Sequence, residues 1–256
     1  SLPTAGLGWE EFHMDRLEFY GKVSFLKGGL VYSDAITTVS ERYAQEIQTK
    51  EYGAGMEGVL KNREKDLYGI INGIDLDEWN PEKDADITER YSVGSVEKKV
   101  ENKKALQKEN KLEVDAAIPV FGIITRLADQ KGLDILAPIL EDFGKKLKAQ
   151  FVLLGTGEEK YHKLLREEMA KFSKKFAFHI MFDGKMAKRI YAGSDIFLMP
   201  SCYEPCGLGQ LISMRYGTIP LVRETGGLAD SVADFNPRTA KGTGFVFNEY
   251  TSEALY

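Results

Sequence analysis

The run "IPVFGIIT", Ile118 to Thr125, begins the pattern that decides the fold. It is a continuous apolar stretch of strand length, and a charged loop and a helical pattern follow it directly. Continuous apolar runs are typical of strands in parallel sheets that are covered on both faces. Four more runs of this kind follow: "FVLLG" (Phe151 to Gly155), "FHIMF" (Phe178 to Phe182), "IFLMPS" (Ile196 to Ser201) and "IPLVR" (Ile219 to Arg223).

Helical patterns separate these runs, at Leu133 to Leu147, Glu158 to Lys174, Met186 to Ala192 and Leu208 to Tyr216. The alternation of strands and helices predicts an α/β fold with a Rossmann-like, doubly wound parallel sheet. Such sheets bind ligands at the carboxyl ends of their strands. The loops that follow the apolar runs are therefore where functional residues are expected.

The chain before Asp115 has a different pattern. It contains two short strand signals, "SDAITTVS" and "LYGIIN", with helix-like stretches at Gly21 to Tyr32 and Glu41 to Thr49. These units are too few for an independent sheet, so we expect residues 1–114 to be the end of an N-terminal domain whose beginning is absent. That part also includes a charged, solvated helical connector from Asp84 to Leu112. Residues 115–256 are predicted to form a nearly complete second domain.

Composition excludes several classes of function. The 256 residues carry a formal net charge of -5 with acidic and basic residues interleaved, which argues against a nucleic-acid partner. There is no apolar run of about 20 residues and no signal-peptide pattern, so we expect a cytoplasmic protein without a membrane span. Its two cysteines, Cys202 and Cys206, have no nearby histidine pair, so we expect no metal site.

The stretch "PSCYEPCGLGQ", Pro200 to Gln210, places Glu204 in the loop after an apolar run. Glycines in this loop let backbone amides approach a ligand closely, and a helix predicted to start near Leu208 favours an anion or an oxygen-rich ligand. Alternatively, Glu204 is an acid that stabilises the dipole at the start of that helix. The residues alone leave both interpretations open.

Three further loops follow apolar runs. "TRLADQKGLD" contains Arg126 and Lys131, two cations that can hold a diphosphate but that can also be ordinary solvated residues. "RETGGLADSV" contains Thr225, Gly226 and Gly227 before a predicted helix, a turn that suits a phosphate. "LGTGEEKY" lacks the third glycine of a dinucleotide fingerprint, so NAD is not predicted.

These loops together favour a site for a diphosphate and a sugar. A single acid argues against an ordinary glycosidase, which needs two carboxylates. The sequence also resembles a known family, through "EFYGKVSFLKGGLVYSDAITTVSERYAQEI", "YGAGMEGVL", "INGIDLDEWNP", "TRLADQKGLD", "EPCGLGQ" and "RYGTIPLVRETGGLADSV". In these motifs it is similar to bacterial glycogen synthases and plant starch synthases. Those enzymes are retaining glucosyltransferases of the GT-B type, in which two Rossmann-like domains face each other across a cleft.

The resemblance implies roles for individual residues. Arg126 and Lys131 match the basic pair that holds the diphosphate of the donor and neutralises the leaving group. Glu204 matches the glutamate that contacts the transferred glucose. The remaining matches are Cys206, Gly207 and Leu208 in the sugar and phosphate pocket, Thr225, Gly226 and Gly227 at a phosphate-side turn, Asn72 in the cleft between domains, and Phe182 as the aromatic that stacks on the base.

The resemblance also implies a reaction. Glucose passes from ADP-glucose to the non-reducing end of an α-1,4-glucan with retention, and no metal or other cofactor is needed. The resemblance also implies that the enzyme is cytoplasmic, or plastidic if it comes from a plant. ADP and UDP remain alternatives as the nucleotide, since a stacking aromatic accepts either base.

The sequence departs from the family pattern in ways that bear on activity. The Lys-x-Gly-Gly-Leu loop near the family's amino terminus is absent, Cys202 stands in place of a common arginine, and Ile212 occupies the second place of a two-glutamate spacing seen in related transferases. We therefore expect a fragment of such an enzyme. One expectation is that this fragment has no transferase activity by itself. Two alternatives remain: a non-catalytic fragment that binds a nucleotide sugar or a glucan, and a glucosyltransferase of the sucrose or trehalose type.

Overall fold

A computed structural model describes residues 2–256 of the chain. The described residues divide after Asn72 into two compact units. The first unit is the smaller one, and each unit has its own buried apolar cluster.

The first unit contains two small sheets and three short helices. Its elements are β1 (Glu18–Phe19), β2 (Lys22–Val23), α1 (Phe25–Tyr32), β3 (Ile36–Thr38), α2 (Glu41–Glu46), α3 (Glu57–Asn62) and β4 (Leu67–Gly69). β1 and β2 pair antiparallel, whereas β3 and β4 pair parallel. Ser24 and Ser40 begin α1 and α2, because their side chains accept hydrogen bonds from backbone N–H groups in the first turn of each helix.

The second unit is built on one six-stranded sheet. Its elements are α4 (Lys99–Glu109), β5 (Val120–Ile124), α5 (Leu133–Leu136), α6 (Leu140–Lys146), β6 (Gln150–Leu154), α7 (Glu159–Lys171), β7 (Phe176–His179), α8 (Gly184–Gly193), β8 (Ile196–Met199), α9 (Gly209–Arg215), β9 (Ile219–Arg223), α10 (Gly226–Ser231), β10 (Phe245–Phe247) and α11 (Ser252–Leu255).

The strand order of this sheet positions the site. The order is β10-β9-β8-β5-β6-β7, and every pair is parallel. The chain starts at the centre with β5, runs outward to β7, and then crosses over to β8 on the other side of β5. The resulting crevice lies at the carboxyl ends of β5 and β8, which is where doubly wound sheets bind ligands. The predicted Rossmann-like parallel sheet is confirmed.

The structure corrects the bounds of several predicted elements. β7 ends at His179, so Phe182 lies in the loop after the strand and not at the end of it. The single helix predicted over residues 133–147 is divided by a 3-10 turn that contains Pro138, because proline cannot donate the helical hydrogen bond. The strand β10 has no counterpart among the predictions, since three residues are too few to show a hydrophobic pattern.

Residues 84–112, predicted to be a solvated connector, are instead a packed part of the second unit. Helix α4 lies against α8 and buries Leu106. Gln107 is also fully buried, and its side-chain amide donates to Gln150 Oε1 at 2.9 Å and to the Asp115 carbonyl at 2.9 Å. Buried polar groups with such partners lose little on leaving water, so a strongly charged sequence can still pack. The division of the structure after Asn72 thus lies earlier than the boundary expected at Asp115.

Lys99 is a partly buried lysine whose ammonium has three oxygen acceptors. Its Nζ donates to the carbonyls of Tyr191 at 3.1 Å and Ala192 at 2.6 Å, and to Thr218 Oγ1 at 2.7 Å. Tyr191 and Ala192 are in the last turn of α8, where a cation is favourable. Burial nevertheless lowers the pKa of the Lys99 ammonium from 10.5 to about 7.

Stability should therefore rise with pH through this lysine. Between its folded pKa of about 7 and its unfolded pKa of 10.5, the folded protein has released a proton that the unfolded chain keeps. The free energy of unfolding should rise by up to about 1.4 kcal/mol per pH unit as pH increases across this window. This added stability should disappear as pH falls back to 7. Urea unfolding of the wild type and of Lys99→Met at several pH values measures the effect. Lys98→Met, which removes an exposed neighbour, is the control, and equal pH slopes in wild type and Lys99→Met would contradict the prediction.

Candidate active site

Two loops meet at the crevice between β5 and β8. The first contains Arg126 and ends in a 3-10 turn, Asp129–Lys131. The second comprises residues 200–208 and leads into α9. The backbone joins the two, because the N–H of Cys202 donates to the carbonyl of Gln130 at 2.9 Å.

Gly132 explains how closely these loops approach. Its φ of 79° lies in the left-handed region, and a Cβ at this position would lie 2.1 Å from the carbonyl oxygen of Pro200. A residue with a side chain is excluded for both reasons. Lys131, directly before this glycine, therefore lies beside the second loop.

Lys131 and Glu204 form the centre of the site. Lys131 Nζ lies 2.6 Å from Glu204 Oε2, and Ser201 Oγ donates to the same oxygen at 3.0 Å. Glu204 is only 7% exposed. A buried carboxylate needs such partners, since an unpaired charge away from water is strongly unfavourable. The sequence prediction that these two residues share a site is thus realised as a direct ion pair.

Arg126 lies at the edge of the same site and is exposed. Its Nη2 donates to Gln130 Oε1 at 2.7 Å, and Gln130 Nε2 in turn donates to the carbonyl of Tyr203 at 3.3 Å. The guanidinium is thereby linked to the residue next to Glu204. Arg126 and Lys131 both line one pocket with Glu204, so the structure brings the three predicted residues together.

The predicted phosphate turn lies behind Glu204. Thr225, Gly226 and Gly227 are buried at the start of α10. The N–H of Gly227 donates to the carbonyl of Glu204 at 3.0 Å. The turn therefore supports the backbone that carries Glu204, and the Gly227 amide is directed at protein, while a contact between this turn and phosphate stays a prediction.

The residues after Glu204 take different positions. Cys206 is buried, and its carbonyl accepts a hydrogen bond from Gln210 Nε2 at 3.0 Å. Gly207 and Leu208 line the pocket that contains Glu204.

Two adjoining pockets make up the site. The one that contains Glu204 has a volume of about 230 Å³, and the second has a volume of about 750 Å³. They share the lining residues Ile124, Thr125, Arg126 and Tyr191. Phe182 lines only the larger pocket and is 92% exposed. Arg126 thus lies where a compact, charged pocket adjoins a roomier one with an exposed aromatic ring.

Asn72 is the one predicted site residue that belongs to the first unit, where it is exposed. Its role in a cleft between domains stays a prediction. Among residues 2–256, no three His, Cys, Asp or Glu side chains are placed to hold a metal ion together. Within the same residues, no helix has the length and apolar character needed to cross a membrane.

Two family models match the sequence. The starch synthase catalytic domain matches residues 1–62, and the model described as glycosyl transferases group 1 matches residues 104–256, which is more than half of the chain. The chain belongs to the group 1 glycosyl transferases. This agrees with a site that combines two cations, a carboxylate and an exposed aromatic ring at the switch point of a parallel sheet.

Curated relatives of this glycosyl transferase are glycogen synthases. It is 56% identical to the glycogen synthase of Thermosipho africanus over 244 residues, which is 95% of this chain and 50% of the relative. It is 55% identical to the glycogen synthase of Desulforudis audaxviator over 255 residues, which is 100% of this chain and 51% of the relative. The chain spans about half the length of the curated relatives it matches. Its resemblance to glycogen synthases is confirmed.

Solved structures agree. The catalytic domain of Starch Synthase IV from Arabidopsis thaliana, bound to ADP and acarbose, matches with a TM-score of 0.88 and 35% identity, over 96% of this chain and 52% of that one. Sucrose-phosphate synthase from Thermosynechococcus elongatus matches with a TM-score of 0.59 and 16% identity, over 100% of this chain and 55% of that one. The second match supports the fold alone.

Three polar residues of this glycosyl transferase site were not predicted from sequence: Gln130, Ser201 and Arg223. Arg223 is buried, and its guanidinium donates to the carbonyl of Ser201 at 2.9 Å and to that of Cys202. It therefore holds the loop just before Glu204. A charged residue at the end of the otherwise apolar run "IPLVR" was the available signal for Arg223, whereas the partners of Ser201 and Gln130 depend on contacts that only the fold creates.

Proposed function

We propose that this chain is the donor-binding part of a glycogen synthase. The whole enzyme would transfer glucose from ADP-glucose to the non-reducing end of an α-1,4-glucan with retention of anomeric configuration. The observation that carries the proposal is the grouping of Lys131, Glu204 and Arg126 around one pocket at the switch point of the sheet. Curated glycogen synthases with 55–56% identity support the same reaction.

Each part of the donor has a suitable place. The diphosphate would lie against Arg126 and Lys131, because a guanidinium and an ammonium both bind phosphate oxygens well. The glucose would enter the 230 Å³ pocket beside Glu204, and the nucleoside would occupy the 750 Å³ pocket that Phe182 lines. ADP in the related Starch Synthase IV structure supports adenosine as the nucleoside.

The residues favour a reaction on one face of the sugar. The bond between the anomeric carbon and the diphosphate oxygen breaks, and a bond to the acceptor hydroxyl forms on the same face. The acceptor proton passes to the departing phosphate oxygen. Arg126 and Lys131 would stabilise the negative charge that develops on the diphosphate, which is the electrostatic task that a transition state of this kind requires. We propose on this basis that no metal ion or other cofactor is needed.

The first test is the binding of ADP by this chain, measured by titration calorimetry. Arg126→Ala should weaken ADP binding about 10- to 100-fold, because one charge-assisted hydrogen bond contributes about 1.5–3 kcal/mol. Arg166→Ala is the matched control, since Arg166 is an exposed arginine on α7 and lines neither pocket. Equal affinities for wild type and Arg126→Ala would reject the diphosphate assignment.

Transfer of labelled glucose from ADP-glucose to glycogen, with EDTA present, tests the reaction. Elongation would support the proposal in full. Binding of ADP without transfer, by folded protein, would agree with a donor-binding part that needs the rest of the enzyme for transfer. Transfer to a small sugar acceptor without elongation of glycogen would favour the sucrose or trehalose type of enzyme.

A further inference from the structure

Part of the lining of the larger pocket comes from residues that neither family model matches. Trp79 and Glu78 line it together with Phe182. Both lie between residue 62, where the first family match ends, and residue 104, where the second begins. Neither residue was assigned a role from the sequence. The segment just before the parallel sheet thus contributes an indole to the pocket proposed for the nucleoside.

Contacts with α8 fix the position of Trp79. Its ring packs edge-to-face against Tyr191, with centroids 5.9 Å apart and planes at 82°. Lys188 Nζ lies 5.8 Å from the centroid of the indole ring. The same ammonium lies 3.7 Å from Asp84 Oδ1 and 3.8 Å from Asp86 Oδ2. Edge-to-face and cation–π contacts each favour a defined ring orientation, so the indole is held in place before any ligand binds.

Anchoring of this segment does not by itself require the tryptophan. Ile87 and Tyr91 are buried in the apolar cluster that also contains Tyr191. The Tyr91 hydroxyl donates to the carbonyl of Tyr216 at 2.7 Å. Asp84 is also tied down, because it accepts a hydrogen bond from the Tyr216 hydroxyl at 2.5 Å. Trp79, in contrast, is only partly buried and leaves part of its side chain on the pocket wall.

We propose that Trp79 is a second aromatic contact for the base of the nucleoside diphosphate, and that it makes the pocket prefer a purine over a pyrimidine. The inference rests on the proposed function, since it concerns the same donor site. Stacking on an aromatic side chain is tolerant of base identity. Contact with two separated aromatic groups, Phe182 and Trp79, favours the base with the larger ring system because it covers more apolar surface.

Intrinsic fluorescence gives a direct test, because the chain has only two tryptophans. In a Trp9→Phe variant, all tryptophan emission comes from Trp79. Titration with ADP should change this emission in a saturable way, with a midpoint equal to the dissociation constant from calorimetry. Titration with inorganic pyrophosphate, which has no base, should leave the emission nearly unchanged.

Affinities of variants give the second readout. Trp79→Ala should weaken ADP binding about tenfold, reduce the ratio of ADP to UDP affinity, and leave pyrophosphate affinity unchanged. Trp79→Phe should retain most of the ADP affinity, and Trp9→Phe is the control with unchanged binding.

The outcomes separate this inference from the proposed function. If ADP binds but neither alters Trp79 emission nor depends on the residue at position 79, the inference is overturned and the donor site stands. If the folded wild-type chain binds neither ADP nor ADP-glucose, the inference and the proposed function both fall. The fluorescence titration needs no substitution at position 79, so it decides the question even if Trp79→Ala does not fold.

Discussion

Lys131→Met should lower the free energy of unfolding by about 3–5 kcal/mol, because it leaves a buried carboxylate without its cation. The affected group is Glu204, which is 7% exposed and would keep the Ser201 hydroxyl as a hydrogen-bond donor but no cation. Urea unfolding at neutral pH measures the change. Lys163→Met is the matched control, since it removes a lysine that pairs with Glu167 at 4.0 Å on the surface. Such exposed pairs contribute about 0–1 kcal/mol.

A double variant distinguishes the lost ion pair from lost packing. Lys131→Met combined with Glu204→Gln should regain most of the stability, since the amide carries no charge that needs a cation. If the double variant is as unstable as Lys131→Met alone, packing of the lysine side chain is the cause and the electrostatic explanation fails.

Gly226→Ala should cost about 2–4 kcal/mol of stability and should also weaken binding of ADP-glucose. Gly226 has a φ of 43°, and a Cβ there would lie 2.0 Å from the carbonyl oxygen of Glu204. The added methyl group must therefore move the backbone that carries the catalytic candidate, or unfold the start of α10. Thermal unfolding and calorimetric titration with ADP-glucose measure the two effects.

Gly58→Ala is the control for a glycine with no such constraint. A Cβ at Gly58 meets nothing within 4 Å, and the residue lies in the first turn of α3, outside both pockets. Alanine there should be neutral or stabilise by about 0.4–1 kcal/mol. Unchanged stability and donor affinity in Gly226→Ala would show that the turn accommodates the methyl group. The turn at residues 225–227 would then not be needed to hold the backbone of Glu204.

The sequence predicted the sheet well where apolar runs were uninterrupted. β9 has the predicted bounds, Ile219–Arg223, because a loop and a Gly-containing turn delimit the run on both sides. β7 was placed too late, since "FAFHIMF" is apolar beyond the strand and gives no signal for its end. The continuous helix predicted over residues 133–147 was wrong at Pro138. The proline that interrupts it is visible in the sequence.

The site was predictable as a set of loops but not as a set of contacts. The rule that strand ends converge brought Arg126, Lys131 and Glu204 together, because all three follow strands adjacent to the switch point. The 2.6 Å pair between residues 131 and 204 joins loops 73 positions apart, so no local pattern reveals it. The same holds for Gly227, whose amide donates to the Glu204 carbonyl. Trp79 was given no role because only Asn72 of the motif "INGIDLDEWNP" was assigned one, and the contact of Trp79 with the pocket depends on the fold.

The ion pair between Lys131 and Glu204 means that the site contains its own counter-ion for the lysine. An inorganic anion such as phosphate or sulfate therefore meets a cation that is already neutralised, and it gains little unless it displaces a buried carboxylate. A nucleotide sugar offers a base and a hexose in addition to its charge, so it can drive that exchange. Under the proposed function, this neutralisation would discriminate against the small anions that are abundant in any cell.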